Sequence, residues 1–360
     1  MSNNPQISII IPCRNEEDLI LKCLKSVMKF ELPSTFYSEI LVIDGLSTDR
    51  TCQIVKELKE KDFRIKLIEN PGKYQSYALN IAIKIAKGDW ILRLDAHSIY
   101  PKEYLKLCYE TAIRTGADNV GGLLISQQNG KNYQASLVQA LTTHKFGVGN
   151  SGFRIGMSAG VVDSVPYGFY RKDVFSKIGD LDERLVRAQD YEFNRRLIKS
   201  GGLVYLNPEI QINYYNQKTF IKFLYKQIKL DAPYNAYMWY LAPYTFAYRH
   251  AITGVFVIGI IGGFFLSPFF SFVKYTFFSI IALYLILAFI SAIQQAKRYK
   301  KLLHIITLPI SFFLYHFLHG LGVLSGIFRL VTRLSPVQKI KEPWKGYGLY
   351  RIKINDSLKK

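Results

Sequence analysis

Cysteine is scarce in this chain and acid is in short supply. Four cysteines occur in 360 residues, at positions 13, 23, 52 and 108. That is too few for a disulfide framework, and no two sit at the short spacing of a zinc-ligand pair. All four lie in the first third, which fits a reduced cytoplasmic compartment. Met1–Gln6 is polar and only a five-residue apolar run follows it, so no signal peptide is expected. Asp and Glu number 27 against 47 Lys and Arg, a formal charge of +20. No nucleic-acid-binding module accompanies that charge; an anionic inner leaflet is the better partner for it. Disorder is excluded by the 49% hydrophobic and 14% aromatic content.

Charge is missing altogether from three long stretches. Ala251–Val273 runs 23 residues without a charge, Tyr275–Ala296 another 22, and Leu302–Phe328 has 27. About 20 apolar residues cross the hydrocarbon core as a helix, so residues 251–330 read as a transmembrane helical region. The basic knot Lys297-Arg298-Tyr299-Lys300-Lys301 is expected on the cytoplasmic side and Lys274 at the outer turn. Residues 331–360 form a basic tail, eight Lys/Arg against Glu342 and Asp356. Keeping that tail cytoplasmic requires an even number of crossings. Pro309, Gly320, Gly322 and Gly326 therefore favour a third stretch that bends back or splits into two short helices, a single span with an external tail being the alternative. Residues 219–250 interleave Tyr, Trp and Phe with Lys, a composition suited to amphipathic helices at the membrane–water interface. A helical edge packed on the soluble part is the alternative.

Residues 1–218 mix acid, base and apolar runs. Ile7–Ile11, Glu39–Ile43, Ile65–Ile68 and Trp90–Leu94 read as buried strands. Helical periodicity fills the gaps at Glu16–Phe30, Thr48–Lys61 and Tyr74–Ala86. This βαβαβαβ order predicts an α/β domain with a mostly parallel sheet. In such sheets ligands bind off the carboxyl ends of the strands, and polar residues gather at those ends: Arg14-Asn15-Glu16, then Asp44, then Asp95-Ala96-His97.

Each group has two readings. Asp44, before Gly45, can accept hydrogen bonds from a base or ribose, or it can hold the turn. Asp95 and His97, two apart, can share a Mn²⁺ or Mg²⁺ ion, or belong to a solvated loop. Asp190 falls near the start of a helix over Ala188–Ile198, where the dipole favours a carboxylate. There it either caps the helix or serves as a general base. Gly147–Gly152 spells G-x-G-x-x-G without following a first strand, so it reads as a mobile loop near the site and not as a dinucleotide fingerprint.

These residues resemble family 2 glycosyltransferases of the GT-A fold. The resemblance is carried by IIIPCRNEE (9–17), VIDGLSTDRT (42–51), NPGKYQSYALNIAIKIAKGDWILRLDAH (70–97) and VPYGFYRKDVFSKIGDLDERLVRAQDYEFNRRLIKSGG (165–202), in family order. The D-A-H, GVGNSGFR and Q-D segments are most similar to the membrane-associated succinoglycan-type exopolysaccharide branch. The resemblance implies a nucleotide-sugar site made of Arg14, Glu16, Asp44, Lys73 and Asp95. It implies a divalent metal (Mn²⁺ or Mg²⁺) at Asp95 and His97, and Asp190 as catalytic base. His97 stands where the family has a carboxylate, and Gln189 where it has glutamate. The Q-x-x-R-W motif of processive synthases is absent; Gln227-Ile228-Lys229-Leu230-Asp231 is the nearest text. The expected activity is inverting transfer of one sugar, from UDP-hexose, to a lipid-linked oligosaccharide in exopolysaccharide or capsule synthesis at the cytoplasmic membrane. A polyprenyl-phosphate glycosyltransferase, whose acceptor is already an anion, is the main rival; a non-catalytic membrane scaffold is the third reading.

Overall fold

The computed structural model describes residues 6–32 and 36–337. Most of the basic tail therefore lies outside the described residues. Two compact units account for the rest: residues 6–125 with 156–214, and residues 126–155 with 215–337.

The first unit is built on one nine-stranded sheet. Strand β1 (Gln6–Cys13) lies between β2 (Tyr37–Asp44) and β4 (Trp90–Arg93), with β3 (Ile65–Glu69) outside β2, all parallel. Ile7, Ile9, Ile10 and Ile11 are all buried, as a strand covered on both faces requires. Each is worth roughly 1.5–3 kcal/mol of transfer free energy. The crossovers are α1 (Ile20–Val27), α2 (Thr51–Lys59) and α3 (Gln75–Ile85). Beyond β4 the sheet turns antiparallel. Past β5 (Ser98–Ile99) and α4 (Tyr104–Thr115), β6 (Asn119–Gln127) leads out of this unit.

The chain leaves it for α5 (Tyr133–Thr142) and two short turns, α6 (Lys145–Val148) and α7 (Gly152–Ile155). It returns as β7 (Gly160–Val161), β8 (Phe169–Arg171), α8 (Asp173–Ile178), α9 (Gln189–Lys199) and β9 (Val204–Tyr215). Strand β8 pairs with both β4 and β6, continuing the sheet. The order is β3-β2-β1-β4-β8-β6-β9-β5, with β7 on β9.

The second unit is helical. α10 (Phe220–Lys226) runs through a π-helical turn, Gln227–Asp231, into α11 (Ala232–Leu241). Then come α12 (Tyr248–Leu266), α13 (Ser271–Tyr299) and α14 (His304–Val331). These last three are long and apolar enough to cross a membrane. Their exposed side chains include Ile258, Phe264, Phe272, Phe278, Ile286 and Ile310, a lipid-compatible surface.

Three expectations are corrected here. The third apolar stretch is one unbroken 28-residue helix, with Pro309 inside it. Its glycines serve close packing and not bending. A Cβ on Gly320 would stand 2.1 Å from the Thr253 carbonyl oxygen, and one on Gly326 2.7 Å from that of Pro233. Residues 219–250 do not form free amphipathic helices throughout: α11 buries Ala232–Met238 and packs on α14. Finally, residues 126–155 group with the helices and not with residues 1–125. All of Ala135–Thr142 is buried, and Leu137, Val138, Ala140 and Leu141 share a core with Phe223, Ala292, Leu308 and Phe312. The G-x-G-x-x-G segment goes with them as helical turns, Gly147 being pressed against the Leu141 carbonyl and the Phe312 ring. The five residues nearest to a Q-x-x-R-W motif are the π turn, closed by Gln227 Nε2 donating to Asp231 Oδ2 at 2.8 Å.

Candidate active site

Every residue singled out in the sequence for chemistry lies in the first unit, at the end of the sheet where the parallel strands finish. β1 and β2 end in register, Cys13 opposite Asp44. Ile10 pairs with Arg93, so Asp95 follows just past the end of β4, two strands from Asp44. Two strand spacings amount to about 10 Å.

Asp44 is 5% exposed and its carboxylate is engaged locally. Oδ2 accepts from the Ser47 amide at 2.9 Å and Oδ1 from the Ser47 hydroxyl at 2.5 Å. Cys13 Sγ stands 3.7 Å from Oδ1. Burial, then the Asp44 charge, hold that thiol well above its ordinary range. These contacts hold the turn after β2. Gly45 follows it at a crowded point. A Cβ there would come within 2.8 Å of the Lys73 carbonyl oxygen and 3.3 Å of Arg14 Cβ and Cδ. Arg14, Asp44 and Lys73, distant in sequence, thus share one corner of the rim. The loop after β1 is tied to the loop after β2: the Asn15 amide donates to Ser47 Oγ at 2.9 Å, and the Thr48 amide to Asn15 Oδ1 at 2.8 Å.

Asp95 is more deeply wired. Its Oδ1 accepts from Arg93 Nη2 at 2.9 Å and from Gln75 Nε2 at 2.9 Å. Arg93 is 6% exposed, and its guanidinium carbon lies 5.1 Å from the Tyr167 ring centre. Burial opposes the Arg93 charge, but the Asp95 and Asp190 carboxylates outweigh it and push its pKa up.

His97 stands between two carboxylates. Its Nδ1 is 3.4 Å from Glu16 Oε1 and its Nε2 is 3.9 Å from Asp95 Oδ2. Tyr214 packs edge-on to the ring. Burial works to lower the His97 pKa, yet the Glu16 hydrogen bond and the Asp95 charge carry it up to about 9. The imidazole is about a third exposed, so solvent moderates both effects.

Asp190 occupies the first turn of α9, where its Oδ1 accepts from the Tyr191 amide at 2.8 Å. The helix starts abruptly because Ala188 has φ 62°, a left-handed conformation that costs a residue with a Cβ. Beside Asp190, Gln189 Nε2 donates to Gln75 Oε1 at 2.5 Å. The Asp190 helix and the Asp95 turn are thus joined through one glutamine. Sequence reading passed over Gln75 and Arg93 altogether. Arg93 had a signal: an arginine inside the buried strand WILRL needs a carboxylate partner. Gln75 had none.

Asp95 and a neutral His97 could hold a divalent ion together with a ligand, the ion displacing the proton that the raised pKa keeps on the imidazole. Asp95 Oδ2 and His97 Nε2 face each other, and Glu16 lies against the other ring nitrogen, where a carboxylate steadies a ligating histidine. Among the described residues no three His, Cys, Asp or Glu side chains form a complete protein cage. Two protein donors completed by phosphate oxygens and water is the usual arrangement for such ions at nucleotide sites.

Comparison with known proteins now adds to this geometry. The family model "Glycosyl transferase family 2" matches residues 8–179. The chain is 30% identical over 336 residues to the dolichyl N-acetyl-α-D-glucosaminyl phosphate 3-β-D-2,3-diacetamido-2,3-dideoxy-β-D-glucuronosyltransferase of Methanococcus voltae, covering 90% of this chain and 97% of that one. The chain belongs to glycosyl transferase family 2. It is a glycosyltransferase. The succinoglycan biosynthesis protein ExoA of Rhizobium meliloti is also 30% identical, over 209 residues, 58% of this transferase and 62% of that protein. Among solved structures, a mannosyltransferase of Pyrobaculum calidifontis, determined with GDP-Man and Mn²⁺, covers 93% of the transferase at 13% identity, TM-score 0.55, and 89% of its own chain is matched. That likeness supports the GT-A fold.

Proposed function

We propose that this transferase moves one sugar from a nucleotide-sugar, a UDP-hexose, to a lipid-linked oligosaccharide, with inversion at the anomeric carbon and with a divalent metal. The observation that carries the reading is the convergence on one rim of Asp95 with His97, and, through Gln75, of the helix that bears Asp190. Asp95 Oδ2 and His97 Nε2 would hold the ion, which supplies neutralisation of the departing diphosphate. Arg14 and Lys73, meeting at Gly45, line the nucleotide corner. Asp190 takes the proton of the acceptor hydroxyl, and a single in-line displacement inverts the sugar. Arg93 holds Asp95 in place through its contact with Oδ1.

The lipid-linked acceptor is supported by the Methanococcus voltae relative, named for a dolichyl-phosphate-linked acceptor and aligned over 90% of the transferase. It is supported equally by the three long apolar helices. A role in exopolysaccharide or capsule synthesis rests on the ExoA likeness. The basic knot at 297–301 supports a catalytic unit on the cytoplasmic side.

Thermal-shift measurements with UDP, GDP and dTDP, each with and without MnCl₂, identify the donor class. Stabilisation by UDP that needs the metal and is lost in Asp95→Ala is the expected result. With the donor so identified, Asp190→Asn should lower kcat by about 10²–10⁴-fold at little change in donor KM. Full transfer by Asp190→Asn would end the base assignment and favour an acceptor that is already an anion.

A further inference from the structure

The pair Gln75 and Gln189 is a relay with a direction. Gln189 is 4% exposed. An ionised carboxylate only accepts hydrogen bonds, so the Gln75 amide nitrogen must face Asp95, as it does at 2.9 Å. Its carbonyl oxygen is then turned toward residue 189. A carbonyl also only accepts, so residue 189 must donate, and Gln189 Nε2 does so at 2.5 Å. An ionised glutamate at 189 would set oxygen against oxygen in a buried place. Turning Gln75 over would satisfy that glutamate but aim the Gln75 carbonyl at Asp95. Either way a carboxylate is set against a carbonyl oxygen in place of a donor, which costs more than a neutral hydrogen bond returns.

We propose that Gln75 is a positioning residue, whose one-way hydrogen-bond relay couples the Asp95 carboxylate to the start of the Asp190 helix and makes glutamine the residue required at position 189. The inference rests on the reading of Asp95 and Asp190 given above. It goes beyond it by explaining why glutamine at 189 is functional and not merely tolerated. The relay ties the Asp95 turn to the Asp190 helix through two glutamines 114 positions apart. Positioning errors of about 1 Å cost on the order of 10²-fold in rate, so its loss is expected in turnover more than in donor binding.

The polarity can be rewired. A lysine at 75 has three donors and no acceptor, so it can serve a carboxylate at both ends. Full-length protein in detergent is compared as wild type, Gln189→Glu, Gln75→Ala, Gln75→Ala/Gln189→Glu and Gln75→Lys/Gln189→Glu. The first readout is the unfolding midpoint without metal or nucleotide. Gln189→Glu should lower it by roughly 2–4 °C, as a loss near 1 kcal/mol does in a domain of this size. It should have little further effect on Gln75→Ala, and Gln75→Lys should restore it. The second readout is steady-state transfer with the donor identified by the nucleotide screen. Gln189→Glu should lower kcat about 10- to 100-fold with donor KM nearly unchanged, and Gln75→Lys/Gln189→Glu should recover most of it. Gln189→Glu behaving as wild type, or no rescue by lysine, overturns the relay. A midpoint that moves while kcat stays constant makes the pair purely structural and overturns the positioning role. The midpoint cycle needs no substrate, so failure of the Asp190 assignment is visible separately, in Asp190→Asn.

Discussion

Arg93 Nη2 lies 2.9 Å from Asp95 Oδ1, a buried cation held two residues from the carboxylate it orients. Removing one partner of such a pair leaves the other charge uncompensated, at about 3–5 kcal/mol when burial is complete. Asp95 keeps its Gln75 hydrogen bond and its side chain is 15% exposed, so the cost falls at the lower end. Arg93→Met should lose roughly 2–3 kcal/mol in denaturant unfolding and weaken metal-dependent UDP binding. Arg93→Lys should recover much of the stability. Unchanged stability in Arg93→Met would mean that Asp95 does not depend on this cation.

On the proposed reading Glu16 acts through His97, whose Nδ1 lies 3.4 Å from its Oε1. Outer-shell carboxylates of this kind typically contribute 10- to 100-fold in metal affinity. Glu16→Gln keeps the size and a hydrogen-bonding group but removes the charge. Its MnCl₂ activation curve should shift to about 10-fold higher concentration, with maximal rate largely retained. Loss of rate at saturating metal, with no shift, would assign Glu16 to the nucleotide instead.

Acid stability should report Glu39, at the opposite end of the same strands. It is 2% exposed and pairs in register with Ser8, whose hydroxyl donates to it at 2.7 Å. Lys66 Nζ lies at 2.8 Å and the Lys87 amide at 2.7 Å. Burial opposes ionisation, but Lys66, the Lys87 amide and Ser8 together hold its pKa below the ordinary glutamate value. A depressed folded-state pKa contributes stability above the unfolded value, about 4.3, and loses it as pH falls through the folded one. Glu39→Gln should therefore be less stable at neutral pH and show a flatter decline below about pH 4.3. Parallel wild-type and variant curves across that window would exclude Glu39 as a contributor.

The helical unit should respond to α14 and not to the rim. A side chain at position 326 would meet the Pro233 backbone of α11, 2.7 Å from a carbonyl oxygen. Overpacking of this sort costs about 1–3 kcal/mol or more where backbone cannot yield. Gly326→Leu should lower extraction yield and thermal stability in detergent. Gly259→Leu, where a Cβ would meet nothing within 4 Å, should not. Equal effects at both sites would argue against close packing as the reason for Gly326.

Strands, crossover helices and apolar spans were readable because they follow from local properties: β-branched runs, 3.6-residue periodicity, and absence of charge. Asp44, Asp95 and His97 were readable for a related reason, as polar residues placed just where buried strands end. Asp44 nonetheless shows the limit. Its sequence is equally consistent with ligand and turn, and only the Ser47 contacts bring out the turn.

What the sequence by itself determined is the set of elements, the rim that carries the chemistry, and the family. What only the tertiary structure decided is which distant groups meet. α5 is drawn to the helical unit by Phe312, Leu308 and Ala292. α14 packs closely on its neighbours because its glycines admit Thr253 and Pro233 backbone. Gln75 is given its orientation by Asp95 on one side and Gln189 on the other. An amide has two unlike ends, and which end is needed depends on partners far along the chain, a condition no local pattern records.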